Sequence, residues 1–162
     1  NQPFPERVLD GVRRHRWIDG YADRHPAVRE AAHYLGPGRR RAAGIILDMV
    51  NDHFLVQHRA DYSASPLEAF LAEAYAGLER VRPWWPAAGA PVLARVIGDD
   101  WLSRYSSLAT TAHALERIAG RMRRDPGLHG ALGVIEHHYP SLERAFHRLM
   151  ADVHATLGRP TP

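Results

Sequence analysis

The chain is predicted to be all-α, a single compact bundle of about seven or eight helices, and three observations carry that prediction. Apolar residues recur three and four apart in segment after segment, no stretch sustains the apolar–polar alternation of a strand, and proline and glycine interrupt the chain too often for a coiled coil. With 162 residues, 45% hydrophobic and 24% charged, one domain over residues 1 to 162 buries a sizeable core, and no second domain is needed.

Pro5 suits the first turn of a helix, where its missing N–H is not required. Val8, Leu9 and Val12 then lead at helical spacing through Trp17, Ile18 and Tyr21 to a stop before Pro26. His25-Pro26 marks the boundary, because the residue before proline avoids helical backbone. A short helix over Pro26 to Leu35 ends at Gly36-Pro37-Gly38. Arg41 to Arg59 follows as the central helix, apolar on most sides yet carrying Asp48, Asp52 and His53 in its middle. Ser65-Pro66-Leu67-Glu68 reads as a serine cap with proline at the first helical position, opening a helix through Phe70, Leu71, Tyr75 and Leu78. Arg82-Pro83-Trp84-Trp85-Pro86 breaks the periodicity and is predicted as a loop. Later helices are predicted over Pro91 to Ser103, Ser107 to Arg123, Leu128 to His138 and Ser141 to Leu157. In the last, Ser141 is the cap of the stripe Leu142, Phe146, Leu149 and Val153, and the tail Gly158 to Pro162 frays.

Composition narrows the function classes. No run of about 18 apolar residues is present and no signal peptide opens the chain, so neither a membrane span nor export is expected. Zero cysteines removes disulfides and zinc–thiolate sites, fits a cytoplasmic setting, and leaves any metal to His and carboxylate. All 21 basic residues are arginine and the formal net charge is +3, which favours acidic or phosphorylated partners. Nucleic acid is not expected, since the positive charge is modest and lacks interleaved aromatics.

Ionisable groups inside a buried helix need partners. At about 100° per residue Asp48 and Asp52 share one face of the central helix with Arg41 and Arg59, and His53 points about 100° away. Two readings follow: arginines hold the aspartates while His53 is a satisfied core histidine, or an ion sits between Asp52 and His53. The first helix sets His15, Asp19 and Asp23 at i, i+4 and i+8, again either a solvated stripe paired with Arg16 and Arg24 or a row that grips an ion. Two such rows favour a metal site between facing helices. Without thiolates the donors suit Mn²⁺, Mg²⁺ or Fe²⁺.

The segment Gly11-Val-Arg-Arg-His15-Arg16-Trp-Ile18-Asp19-Gly-Tyr-Ala-Asp23-Arg-His25-Pro26 resembles the HR-x-ID-x-x-x-D-x-x-P pattern of the acyl carrier protein phosphodiesterases, also called acyl carrier protein hydrolases. Ile46-Leu47-Asp48-Met-Val-Asn-Asp52-His53-Phe54-Leu55 is similar to that family's LD-x-x-x-DHFL pattern, with weaker echoes in Trp101-Leu102, Tyr105 and Arg121. The resemblance implies a helical, distantly HD-domain-like phosphohydrolase of fatty acid biosynthesis. Its members use a divalent metal, typically Mn²⁺, with Mg²⁺ or Fe²⁺ as alternatives here, to cut the phosphodiester between 4′-phosphopantetheine and a serine of holo acyl carrier protein.

Carried over residue by residue, the resemblance implies His15, Asp19, Asp52 and His53 as metal ligands and Asp48 as a ligating or orienting group. It implies Asp23 and His25 as groups that fix the ligands or shuttle a proton, and Arg16 and Arg121 as phosphate contacts. Trp84 and Trp85 either line a path for the pantetheine arm or form a packed loop. Because the carrier protein is acidic, the basic runs Arg39, Arg40, Arg41 and Arg121, Arg123, Arg124 are the expected docking residues.

The family begins with a further segment containing an early histidine and an aspartate of the metal site, and none of it precedes Asn1. The expectation is that this chain folds but holds its ion less tightly than a longer version. Two other readings stand beside the main one. They are a related metal-dependent phosphohydrolase acting on a nucleotide or small phosphodiester, and a non-enzymatic helical binding module with salt-bridged stripes.

Overall fold

The structure, a computed structural model, describes residues 4–157. Its helices are α1 (Glu6–Ala22), α2 (Pro26–Tyr34), α3 (Ala43–Gln57), α4 (Arg59–Tyr62), α5 (Leu67–Arg80), α6 (Ala90–Gly98), α7 (Leu108–Ala119), α8 (Ala131–His137) and α9 (Tyr139–Leu157). Eight of these have seven or more residues, and the described residues contain no strand, in keeping with the all-α expectation. Among the described residues no helix is long and apolar enough to cross a membrane.

The core forms around α3 because its apolar residues fall on nearly every side: Ala43, Ile46, Leu47, Met49, Val50 and Phe54 are all buried. Helix α2 lies chiefly along α9, and α3 packs between α2, α7 and the 3₁₀ segment Trp101–Ser106. Leu35, Leu115, Leu128, Ile135, Leu142 and Phe146 close the core, with Phe54 edge-on to Tyr139 at 5.0 Å between ring centroids. Helices α1 and α6 contribute no fully buried residue and α5 contributes only Leu71, so these three are outer elements.

Several boundaries differ from their sequence signals for local reasons. The central helix breaks at His58 into the short α4, four residues in place of a last turn. Pro66, not Ser65, stands at the cap of α5, and the helix begins at Leu67. The expected helix from Pro91 to Ser103 stops at Gly98, because Asp100 adopts a left-handed backbone (φ 46°) and a 3₁₀ turn follows. Ser107 does cap α7, its hydroxyl accepting the Thr110 N–H at 3.4 Å, but the helix ends at Ala119. Ser141 is no cap: α9 already starts at Tyr139, and the His138 carbonyl accepts from the N–H groups of Ser141 and Leu142. The loop predicted over residues 82–86 contains a 3₁₀ turn at Arg82–Trp84, with Arg82 over the Trp85 ring at 4.9 Å. The expected fraying of 158–162 lies outside the described residues.

One long-range clasp orders the surface beside the start of α3. The Asp125 carboxylate accepts N–H bonds from Gly127, Leu128 and His129, and Arg39 donates to the carbonyls of His129 (3.4 Å) and Gly130 (3.1 Å). Gly127 has φ 112°, and a Cβ there would stand 2.6 Å from the Gly38 carbonyl oxygen, so only glycine fits. Gly127→Ala is expected to cost more than about 1 kcal/mol of stability and to loosen the clasp. Phe54→Ala, which empties the centre of the core, is expected to cost about 3–5 kcal/mol. Urea unfolding followed by circular dichroism measures both.

Candidate functional site

The two acidic rows lie on α1 and α3, and their charges act on one another across the gap between the helices. Asp48 on α3 has its carboxyl raised by burial and by the negative charges of Asp23 and Asp19 on α1. Asp52, one turn further on, is pushed up to about 6 by burial and by the Asp48 charge, while the Tyr105 hydroxyl and His15 pull the other way. Asp52 still reaches solvent. Within α1, His15 Nε2 lies 3.5 Å from Asp19 Oδ2, both side chains exposed. Among the described residues no arginine forms an ion pair with Asp19, Asp23, Asp48 or Asp52. The alternative in which arginines neutralise the rows is therefore not what the structure contains.

His53 is buried, and both ring nitrogens are engaged: Nδ1 lies 2.7 Å from the Tyr105 carbonyl, and Nε2 3.0 Å from the Tyr139 hydroxyl. Ligation by His53 would require giving up one of these bonds. His25 is likewise committed, Nδ1 accepting the Ala27 N–H at 3.2 Å as the cap of α2 and Nε2 facing Asp152 at 3.0 Å. Arg16 is exposed on α1, and Arg121 borders a groove with Val92, Arg95, Trp101, Arg117 and Ile118. That groove shares Trp101, Ala114 and Arg117 with a second recess, whose lining also includes His113 and Tyr105, the tyrosine that faces Asp52. Arg39 is spent on the clasp, whereas the exposed Arg40, Arg41 and Arg124 line one recess together with Pro37 and Pro126. Arg123 is exposed beside it. Two basic runs far apart in sequence thus converge.

The donor set fits a divalent cation in kind. Asp19 and Asp23 act electrostatically on Asp48, and Asp48 and His15 on Asp52, and oxygen-rich sets of that type take hard or borderline ions, but among the described residues no three of these groups bring their ligand atoms within 4.8 Å of one another. A group missed from sequence is His58, Glu143 and His147, whose ligand atoms all lie within 4.8 Å of one another. Its only sequence signal is the Glu143–His147 spacing of one helical turn; the partner His58 is brought in by the packing of α3 against α9.

Because folding raises the Asp52 carboxyl from 3.8 to about 6, the folded state binds that proton more tightly than the unfolded state. In ion-free protein this contribution to stability is present at low pH and is lost as pH rises from about 4 through 6. Asp52→Asn removes this contribution, so the urea midpoint of the variant is expected to gain on that of the wild type as pH rises across that range.

Comparison with known proteins places these residues in a wider set. A protein-family model described as acyl carrier protein phosphodiesterase matches residues 1–153. A relative named acyl carrier protein phosphodiesterase from Enterobacter sp. (strain 638) is 33% identical over 146 residues, covering 90% of this chain and 76% of the relative. Relatives of the same name from Salmonella dublin and Salmonella agona are each 33% identical over 144 residues, covering 88% of this chain and 75% of the relative. No solved structure matches this chain. Because the family match spans nearly every residue, including both acidic rows, this chain belongs to the acyl carrier protein phosphodiesterase family.

Proposed function

We propose that residues 1 to 162 act as one phosphodiesterase domain that hydrolyses the phosphodiester joining 4′-phosphopantetheine to a serine of holo acyl carrier protein, releasing the apo carrier protein. The observation that carries this reading is the electrostatic coupling of two acidic rows without arginine partners in a chain of this family. The ligands we assign are His15, Asp19 and Asp52, with Asp48 ligating or orienting beside them. Mn²⁺ is the expected ion, with Mg²⁺ and Fe²⁺ as alternatives. The ion, when bound, supplies positive charge to the phosphoryl oxygens and Lewis acidity at neutral pH.

The chain's own residues do the rest. Asp52 and Asp48 keep this face of α3 acidic and receptive to a cation. Asp48, its carboxyl raised by burial and by the charges of Asp23 and Asp19, stands beside Asp52 as the group we assign to ligate or orient. In the balanced reaction a water oxygen bonds to phosphorus, the bond from phosphorus to the serine oxygen breaks, and that oxygen is protonated. Asp23 supports Asp48 electrostatically. His53 acts by position, holding α3 against Tyr105 and Tyr139. His25 fixes the start of α2 against α9 through Asp152. Arg121, in the groove it lines with Arg95 and Arg117, is suited to phosphate by its planar guanidinium, and Arg16 is a second candidate on α1. Trp84 and Trp85 are half-buried in the loop after α5, which supports the packed-loop reading for them. Zero cysteines is in keeping with a cytoplasmic setting.

Docking of an acidic carrier protein is supported by the recess where Arg40, Arg41 and Arg124 meet. Arg41 stands in the turn just before α3, the helix that carries Asp48 and Asp52.

Incubating the protein with holo carrier protein and Mn²⁺, followed by mass spectrometry, is expected to show loss of the phosphopantetheine mass. Asp19→Ala and Asp52→Ala are expected to abolish it with helix content intact, and Tyr105→Phe to lower it roughly 10- to 100-fold. Wild-type turnover by either alanine variant removes the proposed site. The substrate KM is expected to rise as salt shortens the screening length from about 10 Å at 0.1 M to about 3 Å at 1 M. Arg40→Glu with Arg124→Glu is expected to flatten that dependence, and salt-independent kinetics in the wild type would count against electrostatic docking.

A further inference from the structure

The break between α3 and α4 carries a constellation separate from the acidic rows. His58, at the end of α3, faces Glu143 and His147, which stand one turn apart on α9, and the ligand atoms of all three lie within 4.8 Å of one another. His58 Nε2 is 2.7 Å from Glu143 Oε1, and the two imidazole rings sit 4.5 Å apart between centroids. Each ring also has an outer partner on α4. Asp61 Oδ2 lies 3.7 Å from His58 Nδ1, and the Tyr62 hydroxyl 2.7 Å from His147 Nδ1.

Ligating histidines characteristically bind through one nitrogen while a carboxylate, carbonyl or similar group holds the other, which fixes tautomer and ring orientation. Here His147 Nδ1 is held by the Tyr62 hydroxyl and His58 Nδ1 faces the Asp61 carboxylate at ion-pair rather than hydrogen-bond distance, and this nominates Nε2 of each ring for the ligand role. The side chains of His58 and Glu143 are 26% and 30% exposed, enough for an ion to enter without leaving them loose. We propose that His58, Glu143 and His147 form a second metal site, for a borderline divalent ion of the Zn²⁺ class, which fastens the end of α3 to α9. Two imidazoles and one carboxylate with an open fourth position are a zinc ligand set. Imidazole donors also favour Zn²⁺ over Mn²⁺ in the general affinity order, whereas the oxygen-rich rows on α1 and α3 favour the harder ion. His58 lies about 9 Å along the helix axis beyond Asp52, so the two sites are distinct. In ion-free protein the His58–Glu143 hydrogen bond closes the gap that the ion would fill.

The test is calorimetric titration of the intact, metal-stripped protein with Zn²⁺ and, separately, Mn²⁺. One tight Zn²⁺ equivalent is expected in the wild type and in Asp52→Ala, and its affinity is expected to fall at least 100-fold in Glu143→Gln and in His147→Ala. Tyr62→Phe, which removes an outer partner only, is expected to weaken it roughly 10- to 100-fold. Zn²⁺ at about one hundred times its Kd is expected to raise the wild-type Tm by about 5–10 °C. If a variant loses helix content, X-ray absorption on the zinc-loaded wild type decides instead: a shell with two imidazole nitrogens is expected. Equal zinc affinity in wild type and Glu143→Gln, or a zinc shell with fewer than two imidazoles, would overturn the proposal and leave His58–Glu143 as an ordinary ion pair. Mn²⁺-dependent hydrolysis reports on the acidic rows and is read separately, so failure of one site is not failure of the other.

Discussion

The arrangement depends on one buried imidazole. His53 links three elements through two hydrogen bonds, from α3 to the carbonyl of Tyr105 in the 3₁₀ segment and to the hydroxyl of Tyr139 on α9. A buried polar ring with both nitrogens satisfied adds direction to apolar packing that by itself has little. It sets the rotation of α3, and with it which residues face the core and which face α1. Phe54 goes inward against Tyr139 and Phe146, while Asp48 and Asp52 go outward toward the other acidic row. Losing one of the two bonds leaves a buried donor or acceptor unmade, a penalty of about 1–3 kcal/mol, and frees the rotation as well.

Charge is distributed unevenly over this frame. Arginine is the chain's only basic residue besides histidine, yet several arginines are committed away from the acidic rows: Arg13 to Glu6 and Asp10, Arg82 to Glu79, Arg148 to Glu30, and Arg39 to backbone carbonyls. The acidic rows are left to repel one another. A fold that keeps four carboxylates near each other in this way sacrifices stability locally, and sites that do so are commonly functional. The Arg40, Arg41 and Arg124 recess forms the opposite pole near the beginning of the same helix.

Much of the fold was legible because helix punctuation is local. Pro26 after His25 and Ser107 before Leu108 each marked a boundary that the backbone respects. The failures came where tertiary bonds outweighed local signals. Ser141 looks like a cap, but carbonyl bonding from His138 starts α9 earlier; the stretch after Gly98 looks helical, but Asp100 turns left-handed. At the site, i, i+4 spacing was enough to gather His15, Asp19 and Asp23, and to pair Asp48 with Asp52. What spacing could not show is commitment. Whether His53 and His25 are free or spent depends on Tyr105, Tyr139 and Asp152, residues distant in the chain. The same holds for Arg39, which the clasp absorbs, and for His58, whose partners lie on α9.

Helix α1 bears half of the acidic donors yet has no fully buried side chain, with Val12 and Trp17 about two-fifths exposed at 41% and 40%. Elements with so little buried apolar contact open at low free energy, well before the molecule unfolds as a whole. Assembly of the donor set is then a docking equilibrium of one helix against a rigid platform. Any ion that needs both rows binds with its intrinsic affinity reduced by the fraction of molecules in which α1 is seated. Ion and helix order one another, and a partner that presses on α1 shares in that linkage without touching a single ligand atom.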